Sequence, residues 1–536
     1  MLRLLFSVLF IASLGLSVSA VSAREIPARE ASDSCESLLG HDYSRRDDVR
    51  FRLDAAEETE IDGRATCVVT GYAAPSVRFE VKLPVAGWSG RYLQLGCGGY
   101  CGRAVTSTSS RQTSGCAPLE SGDMVIASSN LGHERSAKWF ADGLWAEGNP
   151  GAVIDLAYAA THKTAVVAKA LIADFYGTPP EYSYFSGCSN GGREALQVAQ
   201  RYPEDFDGIL SGAPTIDMVA TNTVWHAWNA RANTGPDGMP ILTADKIPAL
   251  ADAVLAACAG DDGLIADPRS CTFTADSLIC KGADNPGCLT PAQAAVVTKV
   301  WQGPVSDSGE ALFAGGFPKG SERAWIGSLI PSDPLAKMGP ATAGEATWSW
   351  DFPMFLASFD PGAGLRPDEI AFTAEGFDRI TGLSRLYDPT DTDLGPFERA
   401  GGKLVIWQGW ADSGSSPLST LNYVAGVRQQ LGAAAGDMLA LYMVPGAYHC
   451  AGGPVPVHAD FLSGLMTWVE DGTRPAAVDV AYETAPKDAT VTTVRAVQPY
   501  ESANAAADLT PWRGLAAYAP KPGMSCSWKG ASIVCD

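Results

Sequence analysis

Residues 182–201 read YSYFSGCSNGGREALQVAQR, and the fold turns on how this stretch is read. Tyr182-Ser183-Tyr184-Phe185 has the apolar, aromatic character of a buried strand. Gly191 to Arg201 has the spacing of a helix. Between them Gly187-Cys188-Ser189-Asn190-Gly191 fits the pattern G-x-S-x-G, in which a strand turns sharply into a helix and leaves a serine hydroxyl exposed at the sheet's edge. Small residues on either side let the backbone approach closely. The bare pattern recurs by chance in chains rich in Gly and Ser. Its position between a strand and a helix is what gives it weight, and it makes Ser189 a candidate nucleophile.

Working outward, the same alternation of strands and helices continues. Strands are expected at Cys67–Tyr72, Val77–Pro84, Arg91–Leu95 and Met124–Ser128, then a helix over Ile154–Tyr176. Beyond the motif, strands are expected at Ile209–Pro214, Lys403–Gly409 and Leu439–Val444, and an amphipathic stretch at Ala459–Glu470. Strands alternating with helices predict a mostly parallel α/β sheet. Residues 24–60 are charged and lack strong periodicity. From about 218 to 400 the texture changes: Trp, Pro, Gly and Asp are frequent, four cysteines occur and strand signals are weak. The expected organisation is residues 1–23 as a signal peptide, 24–217 and 401–536 as two parts of one α/β domain, and 218–400 as a large inserted domain.

A serine nucleophile on this scaffold takes its partners in the order Ser, acid, His. Of the six histidines (41, 133, 162, 226, 449 and 458), only His449 and His458 follow a late acid. His449 lies just past the strand ending at Val444, where a base must sit, whereas His458 lies past a Gly-Gly-Pro turn and is expected to be a solvated loop residue. Asp412, in Gly409-Trp410-Ala411-Asp412, is the candidate acid; the bland alternative is a helix cap. The expected oxyanion donors are the N–H of Asn190 and a donor from the turn Gly98-Gly99. Cys188 precedes the candidate nucleophile and Cys450 follows the candidate base. If Ser189 and His449 share a hydrogen bond, the two cysteines are close enough to bridge.

The chain carries a net charge of -21, which disfavours nucleic acid and anionic membranes as partners. Arg3, the apolar run Leu4–Leu16 and Val21-Ser22-Ala23 read as an export signal with a cleavage site, and the run is too short for a comfortable membrane span. The expected location is secreted or periplasmic. Thirteen cysteines in an exported chain suggest disulfides. The close pairs Cys258 and Cys271, Cys280 and Cys288, and Cys526 and Cys535 could each staple a local loop, and Cys35 and Cys67 are also expected to be bridged. The odd count leaves at least one thiol over. Two of Cys97, Cys101 and Cys116 could pair, and without clustered histidines they do not read as a metal site. His133 lacks a second histidine four residues on, so a metalloprotease reading fails.

Several segments together carry a family resemblance: Tyr184–Arg193, Arg201-Tyr202-Pro203-Glu204-Asp205-Phe206-Asp207-Gly208, Gly409–Asp412 and Val444–Cys450. From about residue 60 onward the chain resembles the tannase and feruloyl esterase family. That resemblance implies an α/β-hydrolase sheet with an inserted lid, the triad Ser189, Asp412 and His449, a Cys188–Cys450 bridge, and a small-molecule substrate that is an ester of an aromatic acid. Feruloyl or other hydroxycinnamoyl esters are expected first, with galloyl esters and mono(2-hydroxyethyl) terephthalate as alternatives. A non-catalytic binding protein on the same scaffold, and a serine peptidase, are the competing classes. The aromatic residues Trp348, Trp350, Phe352 and Phe355 (with Phe359) are candidates for the acyl pocket, and lid core packing is the alternative for each. Catalysis requires no cofactor. The family lid holds a structural calcium ion in a C-D-x-x-D-G-[VL]-x-D-G loop. Here Cys258–Asp267 lacks the first Asp and is shortened before Asp267, so the candidate ligands are Asp261, Asp262, the Leu264 carbonyl and Asp267, with a disulfide-closed acidic turn as the alternative.

Overall fold

The computed structural model describes residues 28–45, 48–108, 110–135, 142–358, 364–450, 457–483, 492–502, 508–521, 526–529 and 532–535. The expected export signal and Phe359 lie outside them. Nine strands of the described residues form one sheet: β1 (Phe51–Ile61), β2 (Arg64–Ala73), β3 (Val77–Pro84), β4 (Arg91–Leu95), β5 (Val125–Ser129), β6 (Tyr182–Cys188), β7 (Gly208–Gly212), β8 (Lys403–Gly409) and β9 (Leu439–Val444). Their order is β1-β2-β3-β5-β4-β6-β7-β8-β9. The pairs β1–β2, β2–β3 and β3–β5 are antiparallel, and every pair from β5–β4 to β8–β9 is parallel.

The parallel strands are covered on both faces, which is why they read as apolar runs. Phe185, Ile209, Leu404, Ile406 and Leu441 face one core with Leu171, Ile172 and Phe175 of the helix Ala160–Tyr176. Tyr184, Leu210, Val405 and Tyr442 face the other with Leu462, Leu465 and Met466 of the helix Phe461–Asp471.

Two elements were not expected. β1 falls in the segment that shows no strong periodicity. It is an edge strand with Phe51 and Ala56 buried but Glu57 to Glu60 exposed, so its outward charges mask the pattern. A second sheet is built from Val457–Ala459, Val478–Glu483 and Thr492–Val497, none of them among the expected strands.

β7 and β8 are hydrogen-bonded neighbours, from Gly208 opposite Lys403 to Gly212 opposite Trp407. The chain between them therefore leaves and returns at adjacent strands. Part of it forms a separate core around Trp225, Leu250, Val297, Phe313, Phe317 and Trp325, which Trp512 from the C-terminal segment joins, whereas Phe352, Leu356, Leu386, Tyr387, Leu394 and Phe397 pack into the core of the sheet. The bridges Cys258–Cys271 and Cys280–Cys288 staple it. Tyr518 Oη donates to Asp217 Oδ2 (2.5 Å), and Arg513 pairs with Asp378 (2.5 Å), so the C-terminal segment is fastened to the chain between β7 and β8 at two places. Cys35–Cys67 ties the N-terminal segment to β2. Cys526 and Cys535 face each other across a hairpin, but their side chains lie outside what is described.

Candidate active site

Ser189 sits between β6 and the helix Asn190–Arg201, with φ +64°. A non-glycine residue in that region is strained by about 1–3 kcal/mol and persists only when its surroundings hold it. Three backbone bonds do so: Ser189 N–H to Gly212 O (3.0 Å), and Arg193 N–H (3.0 Å) and Thr215 N–H (3.2 Å) to Ser189 O. The flanking glycines answer to close approach. A Cβ at Gly187 would lie 2.5 Å from Gly191 O, and one at Gly192 would lie 2.4 Å from Gly212 O.

Asp412 follows β8 and His449 follows β9, so all three candidate residues stand past the C-terminal ends of parallel strands, where open α/β sheets bind ligands. The structure joins them in one hydrogen-bonded chain. His449 Nε2 is 2.8 Å from Ser189 Oγ, and His449 Nδ1 is 3.0 Å from Asp412 Oδ2. Asp412 is fully buried and accepts further bonds from Gly414 N (2.7 Å), Ser415 N (2.9 Å) and Gln408 Nε2 (2.8 Å). Those donors fix the carboxylate as an acceptor-only group. Burial works against a charged imidazole, but the charge and hydrogen bond of Asp412 outweigh it and raise His449 above its usual 6.5.

The sulfurs of Cys188 and Cys450 are bonded at 2.17 Å, and the Cα atoms are 5.9 Å apart. The bridge spans 262 residues and ties the serine turn to the histidine loop. Cys97 pairs with Cys101 next to the Gly98-Gly99 turn, and Cys116 is the free cysteine among the described residues. Burial pushes its thiol up to about 12, which leaves it inert.

A cavity of about 240 Å³ opens above Ser189 and His449. Gly99 and Asn190 line it, whereas Gly98 does not. Of the aromatic candidates, Trp348 lines it. Phe352 is instead fully buried, with its ring 6.0 Å from that of Tyr100 and 5.4 Å from that of Tyr387. Trp350 lies under the Arg366 guanidinium, and Phe355 packs against the main core. The four lie within two turns of helix, and of them only Trp348 lies on the face that lines the cavity. Met218, Thr221, Asn222, His226, Glu345 and Tyr448 also line it. His226 and Glu345 are 119 positions apart, so no local pattern pairs them.

The turn beside the serine is braced by side chains that sequence reasoning did not single out. Glu194 accepts from Cys97 N (3.2 Å), Asn190 Nδ2 (3.2 Å) and Thr161 Oγ1 (2.9 Å). Burial pushes its carboxyl up to about 7, against the neighbouring Arg193 charge. Arg193, fully buried, donates to Asn190 Oδ1 (2.8 Å) and to the carbonyls of Leu156, Ala157 and Tyr387. Their signal was the adjacent charged pair Arg193-Glu194 directly after the serine turn. His458, expected in a solvated loop, lies on a short strand paired with Glu483 (2.9 Å).

The calcium candidates do not form a cage. Asp262 Oδ2 pairs with Arg495 Nη1 (2.5 Å), and its Oδ1 accepts from Leu264 N (2.9 Å). The Leu264 carbonyl already accepts from Gly260 N (3.0 Å), Asp267 pairs with Arg269 (2.7 Å), and Asp261 is exposed. Calcium needs six to eight oxygens, and two of the three carboxylates here are taken by guanidinium groups. The residues present do not fit the ion.

Residues 61–508 match the family described as "Tannase and feruloyl esterase". An uncharacterised esterase of Xanthomonas campestris pv. campestris is 31% identical over 461 residues, 78% of this chain and 77% of its own length. A mono(2-hydroxyethyl) terephthalate hydrolase of Piscinibacter sakaiensis is 30% identical over 457 residues, 74% of each chain. The crystal structure of feruloyl esterase B from Aspergillus oryzae superimposes with a TM-score of 0.71 at 21% identity, covering 87% of this chain and 96% of that one. Its likeness extends to the α/β-hydrolase fold. With the family matched over most of the chain and its relatives named as esterases, the protein is a carboxylic ester hydrolase that belongs to the tannase and feruloyl esterase family.

Proposed function

We propose that this esterase cleaves esters of aromatic acids, hydroxycinnamoyl esters such as feruloyl first among them, through an acyl-enzyme on Ser189. The observation that carries the reading is the hydrogen-bonded chain Ser189–His449–Asp412 opening into one cavity. His449 Nε2 takes the Ser189 proton as Oγ attacks the ester carbonyl. Asp412 holds the Nδ1–H tautomer and stabilises the imidazolium. The backbone N–H groups of Gly99 and Asn190 are the candidate donors to the oxyanion. Collapse of the adduct expels the alcohol, which receives the proton from His449. Water then enters and gives a proton to His449 as its oxygen attacks the acyl carbonyl; collapse of that adduct releases the acid as His449 returns the proton to Ser189 Oγ.

The aromatic preference rests on Trp348 and Tyr100 in the cavity wall, with rings 5.2 Å apart. The terephthalate-hydrolysing relative supports mono(2-hydroxyethyl) terephthalate as a second reading. The apolar leader and the bridged cysteines support an exported enzyme. Among the described residues no helix is long and apolar enough to cross a membrane.

Ser189→Ala is expected to lower kcat on methyl ferulate by at least ~10⁴-fold with an unchanged circular dichroism spectrum. Substantial activity in that variant would overturn the mechanism. Assaying methyl ferulate, methyl gallate and mono(2-hydroxyethyl) terephthalate side by side ranks the acids.

A further inference from the structure

The catalytic steps leave one hydrogen-bonded pair of polar residues in the cavity, His226 and Glu345, without a task. His226 opens the helix His226–Ala232, and Glu345 lies in the first turn of the helix Gly344–Asp351. His226 is 4% exposed and Glu345 1%, and both line the cavity that holds Ser189 and His449. Glu345 accepts from His226 Nδ1 (2.7 Å), Asn229 Nδ2 (3.1 Å) and Ser328 Oγ (2.7 Å). Three donors on one carboxyl mark it as the carboxylate and place a proton on Nδ1 of His226. The other nitrogen, Nε2, makes no hydrogen bond among the described residues. A buried hydrogen-bonded polar pair adds little stability compared with apolar groups of the same shape. An imidazole locked by a glutamate, with its second nitrogen unpartnered in a cavity, is instead suited to meet a polar group of a ligand.

The surroundings narrow that group. The Trp348 ring lies 6.3 Å from the His226 ring and within 21° of parallel, a flat face beside the free nitrogen. No Lys or Arg is among the described residues that line the cavity. A carboxylated acid such as terephthalate would bring a second anion toward Glu345 with no guanidinium or ammonium to receive it. A neutral hydroxyl needs only the nitrogen.

We propose that His226, oriented by Glu345, is a specificity-determining residue that hydrogen-bonds the phenolic hydroxyl on the aromatic ring of the acid. The inference rests on the reading of the protein as an aryl-acid esterase and names the group that its pocket selects.

Matched methyl esters test it: p-coumarate against cinnamate, and 4-hydroxybenzoate against benzoate, with mono(2-hydroxyethyl) terephthalate as the carboxylated probe. The wild type is expected to prefer the hydroxylated member of at least one pair by about 10-fold or more in kcat/KM, because a polar site left unpaired rejects the analogue lacking the hydroxyl. It is also expected to handle the carboxylated probe less well than that hydroxylated ester. His226→Leu should collapse the hydroxyl preference toward one. His226→Gln, whose amide reaches the place of Nε2, should restore part of it, and Glu345→Gln should weaken it. A wild type that cleaves both members of both pairs equally, or variants that lower both members alike and keep the ratio, would overturn the proposal and leave the esterase reading standing. A wild type inert on all five esters would sink that reading as well. Should His226→Leu fail to fold, the other two variants carry the same ratio.

Discussion

Gly414 shows how closely His449, the proposed base, is seated. A Cβ at this position would stand 2.6 Å from Cγ of His449, and Gly414 N is itself a donor to Asp412. Gly414→Ala must push the imidazole off its line to Ser189. We expect a loss of about 10²-fold in kcat, the scale of a misplacement near 1 Å, with little change in the thermal melt. Unchanged turnover would show that the ring has room to move. The charge on His449 gives a second expectation. Only neutral His449 can take the serine proton, so activity falls as pH drops through its folded pKa. Because Asp412 raises that pKa, the acid limb of kcat/KM should lie above 6.5. Asp412→Asn removes the raising charge, so whatever residual activity survives should show a limb moved to lower pH. A limb that stays in place would assign it to another group.

Among the elements, the disulfide-closed loop from Cys258 to Cys271 departs from the calcium-loop pattern that the family resemblance implies. Its acidic groups meet arginines from elsewhere in sequence or nearby: Arg495 of the strand Thr492–Val497 reaches Asp262, and Arg269 closes on Asp267. The positive charge that a metal would bring is carried by covalently attached guanidinium groups, which cannot be chelated away. Excess EDTA is therefore expected to leave the melting temperature unchanged, and Arg495→Ala to lower it by leaving Asp262 without its countercharge. A clear fall in melting temperature with EDTA, reversed by added calcium, would contradict the placement of these side chains. The Cys188–Cys450 bridge acts at the same scale. It fastens two loops from different strands, and closing a loop of this length is worth roughly 5 kcal/mol in the chain-entropy view.

For the molecule as a whole, buried carboxyls dominate the response to pH. Burial pushes Glu194 and Glu322 up to about 7, Asp217 and Asp351 up to about 6, and Asp388 up to about 8. In the unfolded chain these groups ionise near 4. Between pH 4 and 8 the folded state therefore holds more protons than the unfolded one, and stability falls as pH rises through that window. The net charge of -21 works in the same direction, since self-repulsion grows as the remaining acids ionise. The melting temperature should be higher near pH 5 than at pH 8, while turnover moves the opposite way as His449 becomes protonated. A melting temperature that rises from pH 5 to 8 would mean that these carboxyls are solvated in the fold.

The sequence by itself determined what local pattern encodes. The turn around Ser189 was readable because strand, small residues and helix lie within twenty positions. The parallel strands were readable because burial on both faces makes them apolar throughout. Asp412 and His449 were readable because each follows such a strand in the required order, and the cysteines beside Ser189 and His449 carried the same message. β1 was illegible because an edge strand turns charges outward, and the second sheet because its strands are only three to six residues long. Only the tertiary structure decided which face of the segment Trp348 to Phe355 meets the cavity, that arginines meet the acids of the Cys258–Cys271 loop, and that Glu194 and Arg193 brace the turn beside Ser189. It alone set His226 against Glu345. Each of these depends on contacts between residues far apart in the chain or on which way a helix is turned, and neither leaves a mark in local composition or period.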